Sequence, residues 1–347
     1  MPEPINPKMI RLARESSGLT QAQLAGLLNV TQGKVSKVEA ALLDFTEEEV
    51  KKLCTALARP RSFFVWTDNI HGLEAYEVFH RKRQQVPLKT LSLVHARMNI
   101  RRMQLQRLLQ SVEIIGSQFP QMDPDDHGGR VEQIAQLVRS TWRIPPGPID
   151  NLTEALEGAG GIILPFDFGS PKVDAMSQWL PGMPPLFYLN TQFPVDRMRW
   201  STSHELGHIV MHRIVGPETE DEANRFASEF LMPASEIKHQ LQNLSLAKLA
   251  GLKQYWKVSM QALLKRASDL SAISPRQSRR LWMEISKIGM RREEPYPLPP
   301  ERPRLYSDIF TFHRASLDYS LEDLAELLGE DNPQAAWKPV GNLSVVA

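Results

Sequence analysis

The sequence predicts an α+β protein that is mostly helical and divided into more than one domain. Three observations lead there. Apolar residues recur at helical spacing over most of the chain, as at Met9, Ile10, Leu12 and Ala13, or at Ala223, Phe226, Ala227, Phe230 and Leu231. The apolar run 162–166 reads as a buried strand, 176–180 and 186–190 are two further strand candidates, and together they predict a small sheet. At 347 residues, 42% hydrophobic and 23% charged, the chain has ordinary globular composition and length for two or three domains.

Composition also narrows the function. A formal charge of +1 gives no global attraction to nucleic acid, so such a partner has to be read from a local patch. The single cysteine, Cys54, excludes an internal disulfide framework, suits a reducing compartment and reads as a small apolar core residue. No apolar run approaches the roughly 18 residues of a membrane span, and residues 1–6 lack the basic start and apolar run of a signal peptide. The expectation is a cytoplasmic protein with no membrane partner.

Residues 7–57 read as four or five short helices with a break at Ser16-Ser17-Gly18. In the stretch 19–39, Thr20 and Thr31 are natural N-caps of two helices joined by a short turn, and Leu24, Ala25, Val30, Val35 and Val38 supply the core that sets their angle. These residues resemble the helix-turn-helix of the XRE/phage-repressor family over about 5–60, which implies an all-α DNA-binding domain at 1–66. The resemblance implies that the second helix enters the major groove and offers Gln32, Lys34, Ser36 and Lys37, with Thr20 and Gln21 at the phosphates. Double-stranded DNA is then the partner, and a homodimer is expected because repressor-like domains commonly bind as pairs. Gly33 departs from this picture: inside a helix it costs about 1 kcal/mol relative to alanine and offers no side chain to a base.

A helical connector is predicted at 67–149. Residues 81–111 carry eight lysines and arginines and no acid, with Leu91, Val94, Met98, Leu105, Leu109 and Val112 as an apolar stripe. Such a helix either lies along DNA phosphates or is a solvated face packed on a neighbour. A loop follows at 119–129, then a helix over about 130–142. A short helix at 151–157 ends at Gly158-Ala159-Gly160-Gly161, and the three strand candidates come next.

The helix predicted over 195–212 carries Ser203-His204-Glu205-Leu206-Gly207-His208. Two histidines four residues apart lie on one helical face and can share a Zn²⁺, while Glu205 is turned to act as a general base on water. The stretch 218–233 reads as a second helix with acids in its first turn and Pro233 as its stop. Glu220 falls three residues before Ala223 and seven before Ala227, on the buried edge, where an acid needs a cation; Glu218, Asp221 and Glu222 fit a solvated face.

Together these two blocks resemble the ImmA/IrrE family of zinc metallopeptidases over about 150–290. The resemblance implies a zincin-like metallopeptidase domain with a small β-sheet, an α-β-β-β lead-in, and an edge strand near the metal that pairs with an extended peptide. It implies Zn²⁺ held by His204, His208 and Glu220. His212 lies one turn further along the same face, where it either backs a ligand, steadies an oxyanion, or is a buried histidine with no role. Tyr188 is a weaker oxyanion candidate.

Residues 246–256, 260–270 and 274–287 read as helices; their cadence imitates another helix-turn-helix but is assigned to the packing of this domain. Residues 291–347 read as a proline-rich linker and a short helical tail. The function expected is a DNA-binding transcriptional regulator with zinc endopeptidase activity on a protein substrate, by resemblance often a repressor. The alternative is a repressor or antitoxin-like factor whose zincin-like domain senses a ligand or partner without proteolysis, and a metal or redox sensor is a third reading that the lone cysteine disfavours.

Overall fold

The computed structural model describes residues 3–72, 87–112, 114, 118–213 and 216–337. Along the chain the elements are α1 (Pro7–Ser16), α2 (Gln21–Leu28), α3 (Gln32–Glu39), α4 (Glu47–Leu57), α5 (Arg61–Phe64), α6 (Leu88–Leu108), α7 (Val131–Thr141), α8 (Leu152–Gly158), β1 (Ile162–Pro165), β2 (Ala175–Gln178), β3 (Leu186–Leu189), α9 (Val195–Met211) and α10 (Thr219–Leu231). There follow α11 (Ala234–Ile237), α12 (Leu246–Trp256), α13 (Met260–Asp269), α14 (Pro275–Lys287), α15 (Leu305–Ser316), α16 (Leu321–Leu328) and α17 (Pro333–Ala336). The protein is mostly helical with one small mixed sheet, as its sequence predicts. Among the described residues no helix is long and apolar enough to cross a membrane.

Two compact units divide the chain, one of 1–113, 167–173 and 304–347, the other of 114–166 and 174–303. The first is all helical. Met9, Ile10, Leu24, Ala25, Val35, Val38 and Leu53 are buried together in its core, with Val30 packed at the margin. Helix α6 is part of this core, through Ala96, Ile100 and Met103.

Four arginines of α6 are engaged within this unit, which favours the face packed on a neighbour over the face laid along DNA phosphates. Residues 81–86 lie outside the described residues. Of the rest, Arg102 donates to the Asn69 carbonyl at 2.6 Å, and Arg97 donates to the Ser16 carbonyl and pairs with Asp167 at 3.1 Å. Arg107 pairs with Asp68 at 2.6 Å and lies 3.6 Å over the Trp66 ring, while Arg101 lies over Trp337. The helix looked like a charge run only because its partners are far away in sequence.

The tail belongs to this unit too. Arg59 and Gln104 donate to the carbonyls of Gly329 and Leu328, both at 2.8 Å. Gly329 closes α16 in the left-handed region at φ +58°, and a Cβ there would come within 2.8–2.9 Å of Phe63 and Trp66, so glycine is required twice over.

In the second unit the strand order is β1-β3-β2, with β1 parallel and β2 antiparallel to β3, so β2 is an edge strand. Ile163, Phe187 and Leu189 of the sheet share a core with Leu206, Val210, Phe226 and Phe230 of α9 and α10. Leu249, Trp256, Val258, Met260 and Leu263 of α12 and α13 join the same core, so the second helix-turn-helix cadence is packing.

The proline-rich stretch differs from a free linker, because two of its acids are anchored. Glu294 accepts from the Met260 and Gln261 N–H groups at 2.7 and 3.1 Å, at the start of α13, and pairs with the buried Lys253. Glu301 accepts from the Thr153 N–H in the first turn of α8 at 3.1 Å and pairs with the buried Arg199. Carboxylates placed at helix N-termini satisfy N–H groups that the helix itself leaves open.

Candidate metal centre and nucleic-acid interface

Helix α9 is held by an ion pair at its start and by its apolar face before it presents any chemistry. Asp196, in its first turn, pairs with buried Lys253 at 2.7 Å, and its apolar face lies in the core. In the last third of α9, Gly207 faces α10 so closely that a Cβ would sit 3.2 Å from three atoms of the Phe226 side chain. That close approach brings an acid on α10 to the histidines of α9.

Nε2 of His204 and Nε2 of His208 are 3.0 Å apart. The Glu220 carboxylate reaches both, Oε1 at 3.4 Å from His208 Nε2 and Oε2 at 3.8 Å from His204 Nε2. One donor atom from each of the three residues lies within 4.8 Å of the others.

The far side of each ring shows why these donors suit a cation. His204 Nδ1 is 3.2 Å from Asn224 Oδ1, and the Asn224 amide nitrogen donates to the Glu220 carbonyl, so its oxygen is the atom left to accept from His204. His208 Nδ1 is 2.8 Å from His212 Nδ1, and His212 Nε2 is 3.1 Å from Glu222 Oε2. With Glu222 as a carboxylate, His212 donates to it from Nε2 and accepts from His208 at Nδ1. Both His204 and His208 then carry their proton on Nδ1 and turn Nε2 lone pairs towards one another and towards a carboxylate. Two imidazoles and a carboxylate are the donor types that bind Zn²⁺ with a fourth position left for water.

Burial, and then the neighbouring His208 and His204, pull His212 down to about 3, so its ring is neutral at physiological pH. Burial, and then the nearby Glu218, push Glu222 above the usual glutamate value. Glu222 is therefore not on a solvated face, which corrects its assignment from helical phasing: His212, just past the end of α9, meets its carboxylate.

Glu205 is 2% exposed, and its Oε2 accepts from the Ser177 hydroxyl of edge strand β2 at 2.6 Å. Tyr188 is fully buried in the central strand with its ring against Phe166. Sequence reasoning missed Ser177, Asn224 and the role of Glu222. Asn224 had a signal, lying four residues after Glu220 and so one turn along the same helix; Ser177 had none, since only the fold brings a strand residue 28 positions upstream to Glu205.

The other candidate site lies on α2 and α3. Thr20 and Gln23 form a reciprocal cap, Asn29 ends α2 at φ +56°, and the Thr31 hydroxyl caps α3. Thr20, Gln32 and Lys37 are exposed, while Gln21, Lys34 and Ser36 are half-buried. Gln32 donates to Gln21 at 3.0 Å, Gln21 to Glu39 at 2.8 Å, and Glu39 is held by Arg14 at 2.6 Å. Lys34 is 2.5 Å from Glu49 of α4. Among the described residues nothing lies within 4 Å of the space a Cβ on Gly33 would fill.

One unit thus presents a capped helix pair of the helix-turn-helix class, and the other a His-His-Glu cluster beside a buried glutamate, a donor set consistent with a zinc peptidase site. Residues 9–62 match the model of a helix-turn-helix domain, and residues 158–268 match peptidase M78, the IrrE N-terminal-like domain. The chain carries both domains. Comparison with curated proteins finds no match.

Proposed function

We propose that this protein is a DNA-binding transcriptional regulator whose second unit is a zinc-dependent endopeptidase acting on another regulatory protein. The observation that carries the reading is the convergence of His204 Nε2, His208 Nε2 and the Glu220 carboxylate next to a buried Glu205. When bound, zinc supplies the Lewis acidity that polarises a peptide carbonyl and acidifies water.

The chain's own groups do the rest. His204, His208 and Glu220 would hold the ion, and Asn224 fixes the His204 ring. Ser177 donates to one oxygen of Glu205, which keeps the other oriented to take a proton from the attacking water and to return it to the leaving amine. Edge strand β2, which carries Ser177, pairs with β3 on one side, and an extended peptide would add to its other edge. A domain that only sensed a ligand would have no use for a buried glutamate at this position, and this favours the peptidase over the sensor.

The test is Glu205→Gln, which keeps the side-chain shape and removes the proton acceptor. Zinc content and DNA binding are expected to equal wild type, and cleavage of candidate regulatory proteins to fall about 10²–10⁴-fold. Equal cleavage by both proteins, or equal regulatory output in cells with zinc retained, overturns the peptidase assignment.

A further inference from the structure

The two histidines facing Glu220 are backed differently. His204 rests on a neutral amide, whereas His208 rests on another imidazole that ends on a carboxylate: His208 Nδ1 to His212 Nδ1 at 2.8 Å, then His212 Nε2 to Glu222 Oε2 at 3.1 Å. We propose that His212 and Glu222 form a positioning relay which holds His208 in its metal-binding tautomer and makes it the more strongly donating of the two ring ligands. This rests on the metallopeptidase reading.

The geometry excludes the other roles open to His212. An oxyanion donor needs an N–H aimed at substrate, but each ring nitrogen of His212 already faces a protein partner. Nor is its ring a fourth ligand, because the nitrogen nearest the cluster meets the far side of His208 and not the space between the Nε2 atoms. The His212 side chain is only 5% exposed and that of Glu222 18%, so water competes little for the contact. A carboxylate behind an imidazole withdraws its proton partially and raises the basicity of the ring at the end of the chain, and such outer partners typically change metal affinity 10–100-fold. Glu222 thereby differs from Glu218 and Asp221, acids of the same helix start that are exposed to solvent.

The experiment measures zinc affinity of the full chain by competition with a chromophoric chelator, and the visible spectrum of the Co²⁺-loaded protein, for wild type, Glu222→Gln, His212→Gln, the double variant, and Glu218→Gln as control. Glu222→Gln should lose about tenfold or more in affinity and shift the Co²⁺ bands, with Glu218→Gln unchanged. The double variant should be no weaker than His212→Gln alone, because the two residues act through one path. Glu222→Gln with wild-type affinity and an unshifted spectrum overturns the relay, as does additive loss in the double variant. Wild-type protein that takes up no zinc overturns the metallopeptidase reading itself, which is a distinct outcome.

Discussion

The His-His-Glu cluster and the face of α3 were both legible from short spacings, yet they differ in how free the named residues are. At the cluster the three donors converge on one another and their outer atoms are occupied, so each is committed to a shared centre. On α3 two of the four residues expected to meet bases are already paired: Gln32 with Gln21, Lys34 with Glu49. A metal site is made largely by residues a turn apart on one helix, and that geometry is fixed once the helix forms. A DNA-reading face depends on what its neighbours leave available, and those neighbours come from other helices.

The strongest way to break this contrast is to remove ligands. A His204→Ala, His208→Ala double variant should lose stoichiometric zinc while keeping its helical content, measured by elemental analysis and circular dichroism. Glu220→Ala should also lose the metal, whereas Glu222→Ala should retain zinc at reduced affinity. Loss of all metal from Glu222→Ala with retention in Glu220→Ala would show that the ligand set is wrong.

A smaller effect is expected where the helices touch. Gly207→Ala places a methyl group 3.2 Å from the Phe226 side chain, tighter than ordinary van der Waals contact. Phe226 is fully buried and stacked on Phe230, so it has little room to yield. Overpacking of this kind costs about 1–3 kcal/mol, and it acts on the contact that brings Glu220 to His208. Thermal unfolding should show the loss with and without zinc; wild-type stability and affinity would mean that α10 shifts freely.

The sequence was informative wherever the cause of a structure is local. Caps at Thr20, Thr31 and Ser274, the strands and the HExxH helix follow from neighbouring residues, and each forms. What escaped depends on distant partners. The arginines of α6 read as a basic face because Asp68, Asn69 and Asp167 are 33 to 70 positions away from them. Proline-rich 291–303 read as a linker because nothing in its composition reveals that Glu294 and Glu301 meet helix N-termini. Glu222 was assigned to solvent from the centre of an apolar stripe, a criterion that ignores polar neighbours lying beside the stripe.

The smallest effect tests the α3 face directly. Glu49 caps α4 with Thr46 and holds Lys34, a side chain 25% exposed. Burial pushes the Glu49 carboxyl up, but Lys34 and the hydrogen bonds from Thr46 outweigh it and keep the group below the ordinary glutamate value. The pair is therefore intact above that ordinary value and is lost only as pH falls through the depressed one, so at neutral pH Lys34 is released by substitution and not by titration. Glu49→Gln keeps the cap, because an amide oxygen still accepts from Thr46, and removes both the ion pair and a negative charge beside Lys34. If Lys34 contacts DNA, affinity should rise by about fivefold at most, the range of a partly exposed pair, and the salt dependence should steepen by about one phosphate contact. Lys34→Ala should reverse both changes in the Glu49→Gln background. Unchanged affinity and slope in Glu49→Gln, measured across a salt series, would remove Lys34 from the DNA interface and leave Lys37 as the exposed cation of α3.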